Sequence, residues 1–394
     1  MESLPIIIAG AGIGGLTLAA ALKHHGIACR VFEKAAALRP IGAGITMQSN
    51  AMLALRAIGL EDAVRAAGAV AGRADLRRDD GGLLATVDFA AIAQAIGAPT
   101  VAIHRGDLHA VLLAAAGDVT LLGAEAAGYR DDGDTITLLL VGGREARGRA
   151  LIGADGVHSA LRTQLLGESP LRYAGYTTWR GVTGPDVAAT LPPELIGGEA
   201  LGRGERFGWI ALARGRVYWY AVAATPAGET DADPRETVRA RFASWGVPAA
   251  ALLEATAADE IVRTDVFDRP PVTTWGAGRI TLLGDAIHPM TPNLGQGGGQ
   301  AVEDAVVLAS CLAADEPVAA LRRYEAMRIK RANRFVVESH RAGVLFQARN
   351  ALAATLRNAM LRTTSGLTTG RTLRLMRAGF ALGPGSPPAA AAPT

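Results

Sequence analysis

Residues 6–34 read IIIAGAGIGGLTLAAALKHHGIACRVFEK, and the fold is decided there. Ile6 to Ala9 form an apolar, β-branched run, the pattern of a parallel strand buried on both faces. Gly10, Gly12 and Gly15 fill the glycine positions of G-x-G-x-x-G, with Gly14 among them. A helix should follow and stop at Gly26, and a second strand, Cys29 to Phe32, should end at Glu33 and Lys34. Gly10 permits the tight turn, Gly12 lets the backbone approach a pyrophosphate, and Gly15 lets helix and strand pack closely. Free N–H groups at the helix start favour an anion. Glu33 lies eighteen residues past Gly15, where its carboxylate can accept hydrogen bonds from ribose hydroxyls and would repel a 2′-phosphate. A lone G-x-G-x-x-G is weak evidence, but strand, helix, second strand and terminal acid together point to a bound dinucleotide. No second copy of the motif follows a strand elsewhere, which argues against two separate dinucleotide domains.

The chain has 394 residues, 49% hydrophobic and 20% charged, an ordinary globular balance that excludes disorder of the whole. No apolar run reaches the roughly 18 residues of a spanning helix. The first motif begins so early that it leaves no room for a signal peptide. Cys29 and Cys311 are the only cysteines and form no C-x-x-C pair, so a disulfide framework or cysteine zinc site is not expected; a reducing cytoplasm is. Residues 341–394 hold seven Arg and no Lys, Asp or Glu, leaving 33 basic and 37 acidic side chains in the rest. A basic face can attract nucleic acid, but these arginines are spread through Leu, Met and Ala at helical spacing, and no nucleic-acid partner is expected.

Two further stretches complete the pattern. Residues 149–162, RALIGADGVHSALR, read as a strand, a tight turn at Asp155-Gly156, and a helix from Ser159 to Leu165. Residues 278–305, GRITLLGDAIHPMTPNLGQGGGQAVEDA, read as a strand ending at Asp285, a loop crowded with Gly and Pro, and a helix beginning near Gly295 to Gln300. Together with HRGDLHAVLL at 104–113 and YTTWRG at 176–181, this series resembles the single-component FAD-dependent aromatic hydroxylases, the relatives of para-hydroxybenzoate and salicylate hydroxylase. The resemblance runs from residue 4 to about 365.

It implies an α/β fold: a Rossmann-like FAD-binding domain, a mostly antiparallel substrate sheet and C-terminal helices. Asp285 would bind a ribitol hydroxyl. The backbone N–H groups of Leu294 to Gly298 would face the N1–C2=O edge of the isoalloxazine, which turns anionic on reduction and is stabilised by a helix N-terminus. Gly295, Gly297 and Gly298 let the backbone touch the ring, and Pro289 and Pro292 stiffen the loop. Gly298 and Gly299 serve equally well for close helix packing. Arg105 would contact the pyrophosphate or ribitol, and Asp155 would stand where FAD meets a transient nicotinamide cofactor, with Arg162 a weaker candidate there. Gln48 and Asn50 fall in the loop after the ribose-binding acid, where Ser49 replaces the Pro many relatives carry. No side chain is required as nucleophile or metal ligand. Pro292 and His288 are the catalytic candidates, against the plainer reading that His288 only orders its loop or faces the pocket. The absence of G-x-G-x-x-W and W-x-W-x-I-P speaks against a flavin halogenase.

The expected organisation is discontinuous. Residues 1–70, 100–168 and 276–345 form the FAD-binding domain, 71–99 and 169–275 the substrate sheet, and 346–382 the C-terminal helices; 383–394 is a disordered tail. A hairpin should turn at Asp80-Gly81-Gly82. Aromatic residues are only 5% of the chain but gather in the substrate sheet, and Trp209, Tyr218 and Tyr220, with Gln48, are the pocket candidates. About half of these aromatics should be sheet core, because alternate positions face opposite sides. Arg180, in the motif at 176–181, reads as structural before it reads as a substrate clamp. The basic C-terminal helices either pack on the FAD domain or contact an anionic membrane as a peripheral surface.

The reaction the resemblance implies uses NADH or NADPH as a transient co-substrate and O2. A flavin C4a-hydroperoxide delivers one oxygen, hydroxylating or epoxidising an apolar aromatic, quinone- or quinolone-like small molecule. The alternatives are an FAD-dependent dehydrogenase or reductase on the same scaffold, or a flavin-binding protein without turnover.

Overall fold

The computed structural model describes residues 4–38, 43–377 and 382 of the chain; the expected tail at 383–394 lies outside the described residues. Ile6–Ala9, fully buried, stands near the middle of a six-stranded sheet. It pairs in parallel with Cys29–Phe32 on one side and with Ala150–Gly153 on the other. Ile280–Leu282 pairs in parallel with Ala150–Gly153, so a strand from the second half of the chain enters the N-terminal sheet. Helix Ile13–His24 covers this sheet, and its continuous run of buried Leu and Ala packs against helix Gly297–Ala314, itself buried along most of its length. The large core thus forms between a sheet of β-branched strands and helices that are apolar nearly all round.

A seven-stranded sheet lies over it, in the order Val262–Asp268, Arg172–Val182, Val217–Ala223, Glu205–Ala211, Gly197–Leu201, Arg73–Arg78, Leu83–Asp88. It is antiparallel except where Gly197–Leu201 runs parallel to Arg73–Arg78. The last two strands are a hairpin turning through Gly81 at φ +88, as the Asp80-Gly81-Gly82 pattern predicts. One face of the sheet packs Trp179, Phe207, Trp209 and Trp219 against helices Pro234–Phe242 and Ala249–Glu254. The opposite face turns toward a separate three-stranded sheet of Gly44–Met47, Thr100–His104 and Ala69–Ala71, where Tyr218 and Ile210 meet Ala102.

The helix Pro317–Phe346 spans thirty residues and is followed by Ala351–Thr363 and Ser365–Arg377. No helix among the described residues is long and apolar enough to cross a membrane. The helix Phe89–Ile96 was not foreseen; Asp88 caps it by accepting from the Ala91 N–H, and Gly97 closes it in the left-handed conformation.

Candidate functional site

The three parallel strands Ile6–Ala9, Ala150–Gly153 and Ile280–Leu282 are consecutive neighbours in one sheet, so their carboxyl ends share an edge. At a spacing of about 4.8 Å per strand, the outer two ends lie roughly 10 Å apart. Gly10 to Gly15, Asp155 and Asp285 therefore rise from one edge of one sheet, the place where open α/β sheets bind ligands.

At the first strand, Gly10 has φ +103, and a Cβ there would fall 2.3 Å from the Ala154 carbonyl oxygen. Gly15 is equally confined, its Cβ position 2.0 Å from Gly10 O. Gly12 is the opposite case: a Cβ would meet nothing within 4 Å, so its face is open. Gly14 is turned away from that opening, toward the Leu283 side chain and Ala301. Glu33 accepts from the Ala11 N–H at 2.8 Å and the Ala35 N–H at 2.9 Å. Its carboxylate thus braces the glycine loop while keeping further lone pairs for a ligand.

A cleft opens here between Gly12, Glu33, Lys34, Asp155 and His158. Burial raises the pKa of Asp155, against hydrogen bonds from the Ser159 hydroxyl and nearby backbone N–H groups. Its Oδ1 is buried with no partner among the described residues. Behind the same turn, Arg162 and Arg269 converge on Ser169, whose Oγ lies 2.8 Å from Arg269 Nη1. Burial lowers both guanidinium pKa values, with Arg269 adding to the effect at Arg162. No carboxylate pairs with either arginine among the described residues.

At the other end, Asp285 sits in the turn Gly284–Ala286. Its side chain reaches solvent, yet protein hems it in closely enough to push its pKa up; His288 and Arg105 pull it back. Arg105, exposed at the start of helix Arg105–Ala116, thus shares this recess with Asp285. The loop continues through the turn Pro292–Leu294, with Pro292 exposed, to Gly295 at φ +60. The Gly295 N–H donates to Pro292 O at 2.9 Å, which removes it from the run of free donors expected at Leu294 to Gly298. Gly297 and Gly298 open the long helix without a side-chain cap, and their N–H groups have no acceptor among the described residues. Gly298 lies against strand Gly44–Met47, its Cβ position 2.7 Å from Ile45.

A buried polar network supports this loop. Gln48 Nε2 donates to Leu294 O at 2.7 Å, and Gln48 Oε1 accepts from Gln296 Nε2 at 2.7 Å. Gln48 therefore fixes the glycine loop. Asn50 Nδ2 reaches Gln296 Oε1 at 3.0 Å and Glu303 Oε1 at 2.5 Å. Glu303 accepts from Arg331 Nε at 2.7 Å, and Asp304 accepts from Arg328 Nε at 2.7 Å. Burial works against the Glu303 charge, but Arg331 and Arg328 outweigh it and hold the carboxyl at about 2. His288, 1% exposed, is bound through Nε2 to Asp304 Oδ2 at 2.5 Å. That position orders the loop and keeps the ring from open space, as the plainer sequence reading has it, and does not suit the catalytic candidacy of His288.

The substrate sheet separates its aromatic candidates by register. Trp209 pairs with Trp219, whereas Tyr218 pairs with Ile210 and Tyr220 with Gly208. Alternation then puts Trp209 on the helix-covered face, where its Nε1 donates to Leu195 O, and Tyr218 and Tyr220 on the opposite face, where Tyr218 packs toward Ala102 of the three-stranded sheet. Trp209 is core, a correction to its place among the pocket residues. Tyr220 lies across Gly208, where a Cβ would be 2.1 Å from its ring. On the same face Arg206 Nη1 donates to Glu199 Oε1 at 3.1 Å and Arg206 Nη2 to Asn293 Oδ1 at 2.7 Å. Asn293 Nδ2 in turn donates to the Tyr176 hydroxyl at 2.8 Å.

Sequence reasoning missed Asn293, Glu303, Asp304, Arg328 and Arg331, and it gave Arg206 no role. A signal existed for four of them: two adjacent acids inside an otherwise apolar helix require buried cations, and Arg328 and Arg331 stand at i, i+3 on the next helix.

A family model described as "FAD binding domain" matches residues 3–339. The chain is 47% identical over 365 residues to "Aurachin C monooxygenase/isomerase" of Stigmatella aurantiaca, covering 92% of this chain and 94% of that protein. It is 35% identical over 343 residues to "FAD-dependent urate hydroxylase" of Klebsiella pneumoniae subsp. pneumoniae, covering 85% and 88%. Among solved structures, Klebsiella pneumoniae HpxO complexed with FAD and uric acid superposes with a TM-score of 0.88 at 30% identity, over 95% of this chain and 96% of that one.

Proposed function

The chain belongs to the FAD binding domain family of flavin-dependent monooxygenases, and on that footing we propose how its own residues serve oxygenation of a small apolar aromatic or quinone-like molecule. The enzyme is an FAD-dependent, NAD(P)H-using monooxygenase that hydroxylates or epoxidises its substrate. The residues present fit FAD. Gly12 leaves an open face at the cleft, Asp155 Oδ1 is a buried acceptor lacking a donor, and Asp285 is held in a recess beside Arg105. Glu33 and Lys34 would hold the adenosine end, Asp285 a ribitol hydroxyl, and the free N–H groups of Gly297 and Gly298 the ring. Bound there, FAD supplies electron transfer from NAD(P)H and the activation of dioxygen.

The protein's part is positioning and exclusion of water. Tyr218 packs against Gly44, at the start of the strand that Gly298 meets through Ile45, Tyr220 shares its sheet face, and the Gln48–Gln296–Asn50 bonds fix the loop that bears Gly297 and Gly298. Burial raises the pKa of both tyrosines and keeps them neutral. Arg162 and Arg269, cationic and without carboxylates, suit the phosphates of the nicotinamide cofactor, close to Asp155.

The proposal extends to a peripheral contact with an anionic membrane. Val344, Leu352 and Leu356 are 69%, 68% and 61% exposed, and they stand in a segment, residues 341–394, that contains seven Arg and no acid.

What carries the functional reading is the common strand edge from which Gly10 to Gly15, Asp155 and Asp285 rise, with the Asp285 turn leading into the glycine loop at 295–298. The test is incubation of the purified protein with NADH or NADPH and a panel of aromatic compounds, with and without air. Substrate-stimulated, O2-dependent NAD(P)H consumption with a mass gain of one oxygen supports it. Turnover that persists anaerobically would mean dehydrogenation or reduction on this scaffold, and no stimulated consumption would mean flavin binding alone.

A further inference from the structure

We infer that Arg180 is a specificity-determining residue whose guanidinium receives an anionic oxygen on the substrate, so that the preferred substrates carry an acidic ring hydroxyl, enol or carboxyl group. The inference rests on the reading of the tyrosine-bearing face as the substrate site.

Arg180 lies in strand Arg172–Val182 and pairs with Tyr220 on one side and Val262 on the other. Cross-strand partners share a face, so Arg180 stands on the same side as Tyr220 and Tyr218, the side on which Tyr218 packs toward Ala102 of the three-stranded sheet. Its charge is felt at Tyr218, whose pKa burial raises and Arg180 lowers. The side chain is half-buried. It makes no hydrogen bond, ion pair or ring contact with any described residue.

That isolation is particular to Arg180. Every other arginine on the strands of this sheet has an acceptor in place: Arg172 has Asp268, Arg206 has Glu199 and Asn293, and Arg263 has Asp231 and Asp265. On the remaining strands Arg73 and Arg77 share Asp75, and Arg78 has Asp80. Glu199, the carboxylate nearest to Tyr220 on the shared face, is already taken by Arg206 at 3.1 Å. A guanidinium does not shed its proton to escape partial burial, so a partly buried cation kept without an acceptor on the tyrosine-bearing face favours a ligand that brings one. A carboxylate, phenolate or enolate oxygen matches its planar donors, and a charge-assisted bond of this kind changes affinity by about 10- to 100-fold.

The test uses the FAD-loaded enzyme without NAD(P)H. Binding of 4-hydroxy-2-quinolone, whose ring hydroxyl ionises, and of 4-methoxy-2-quinolone, which lacks that proton, is followed by flavin fluorescence and by calorimetry. The expected result is a preference of about 10-fold or more for the hydroxy compound in the wild type. Arg180→Met should abolish this preference, and Arg180→Lys should keep part of it, with flavin content unchanged in both. Equal affinities in the wild type, binding of neither compound, or a preference that survives Arg180→Met would overturn the assignment. Because no turnover is read, failure of the monooxygenase reading would appear separately, as binding without oxygenated product in the presence of NAD(P)H and air.

Discussion

Arg206 Nη2 lies 2.7 Å from Asn293 Oδ1, and this hydrogen bond ties the seven-stranded sheet to the loop that leads into Gly297 and Gly298. Asn293 also donates to the Tyr176 hydroxyl at 2.8 Å and to Ser339 O at 3.0 Å, so one amide joins two strands, the loop and the long helix. Asn293→Ala leaves Arg206 and Tyr176 short of a partner. The expected cost is about 1–3 kcal/mol in chemical denaturation, with a fall in kcat and FAD still bound. Unchanged stability and unchanged kcat would show that the tie is incidental.

Asp285→Ala removes the carboxylate from the recess it shares with Arg105. FAD retention should weaken by roughly 10- to 100-fold, read as flavin fluorescence released on dialysis. Flavin content equal to that of the wild type would remove Asp285 from the cofactor site.

Glu303 titrates at about 2 in the folded chain, below its ordinary 4.5, because Arg331 and Arg328 overcome the effect of burial. A depressed carboxyl stabilises the fold above its unfolded pKa and loses that contribution as pH falls through the folded one. The loss should therefore fall between about pH 4.5 and pH 2 and amount to a few kcal/mol, on the order of 3. Glu303→Gln should flatten this part of the acid-unfolding curve and lower stability at neutral pH, where Arg328 and Arg331 lose an acceptor charge.

Vesicles of phosphatidylglycerol and phosphatidylcholine should sediment the protein, and pure phosphatidylcholine should do so less well. Replacing Leu352 and Leu356 together by Ser should weaken vesicle binding at least about 10-fold while leaving flavin content intact. Equal sedimentation of the double variant and the wild type would dismiss the contact.

The parts of the fold written into short-range pattern were legible in the sequence. Gly10, Gly12 and Gly15 after an apolar run, and the hairpin at Gly81, follow from local backbone demands and need no knowledge of distant residues. Long-range partnership was less accessible. Trp209 and Tyr220 look alike in composition, and only the register with Trp219 and Gly208 separates the helix-covered face from the opposite one. The bond from Gln48 to the loop at Leu294, 246 positions later, shows only once the two are placed together. The roles of Arg206 and Arg180 show the same limit. Both are arginines on one sheet face, and what distinguishes them is whether an acceptor from elsewhere in the chain arrives.

The central claim is that one FAD spans the shared strand edge, from Glu33 and Gly12 to the amides of Gly297 and Gly298. A crystal structure of the flavin-loaded protein tests it most directly. The account predicts density for a single extended FAD, with the adenosine at Glu33, a ribitol hydroxyl on Asp285, and the isoalloxazine between the glycine loop and the Tyr218–Tyr220 face. A flavin bound elsewhere, or one whose ring lies away from Gly297 and Gly298, would contradict it.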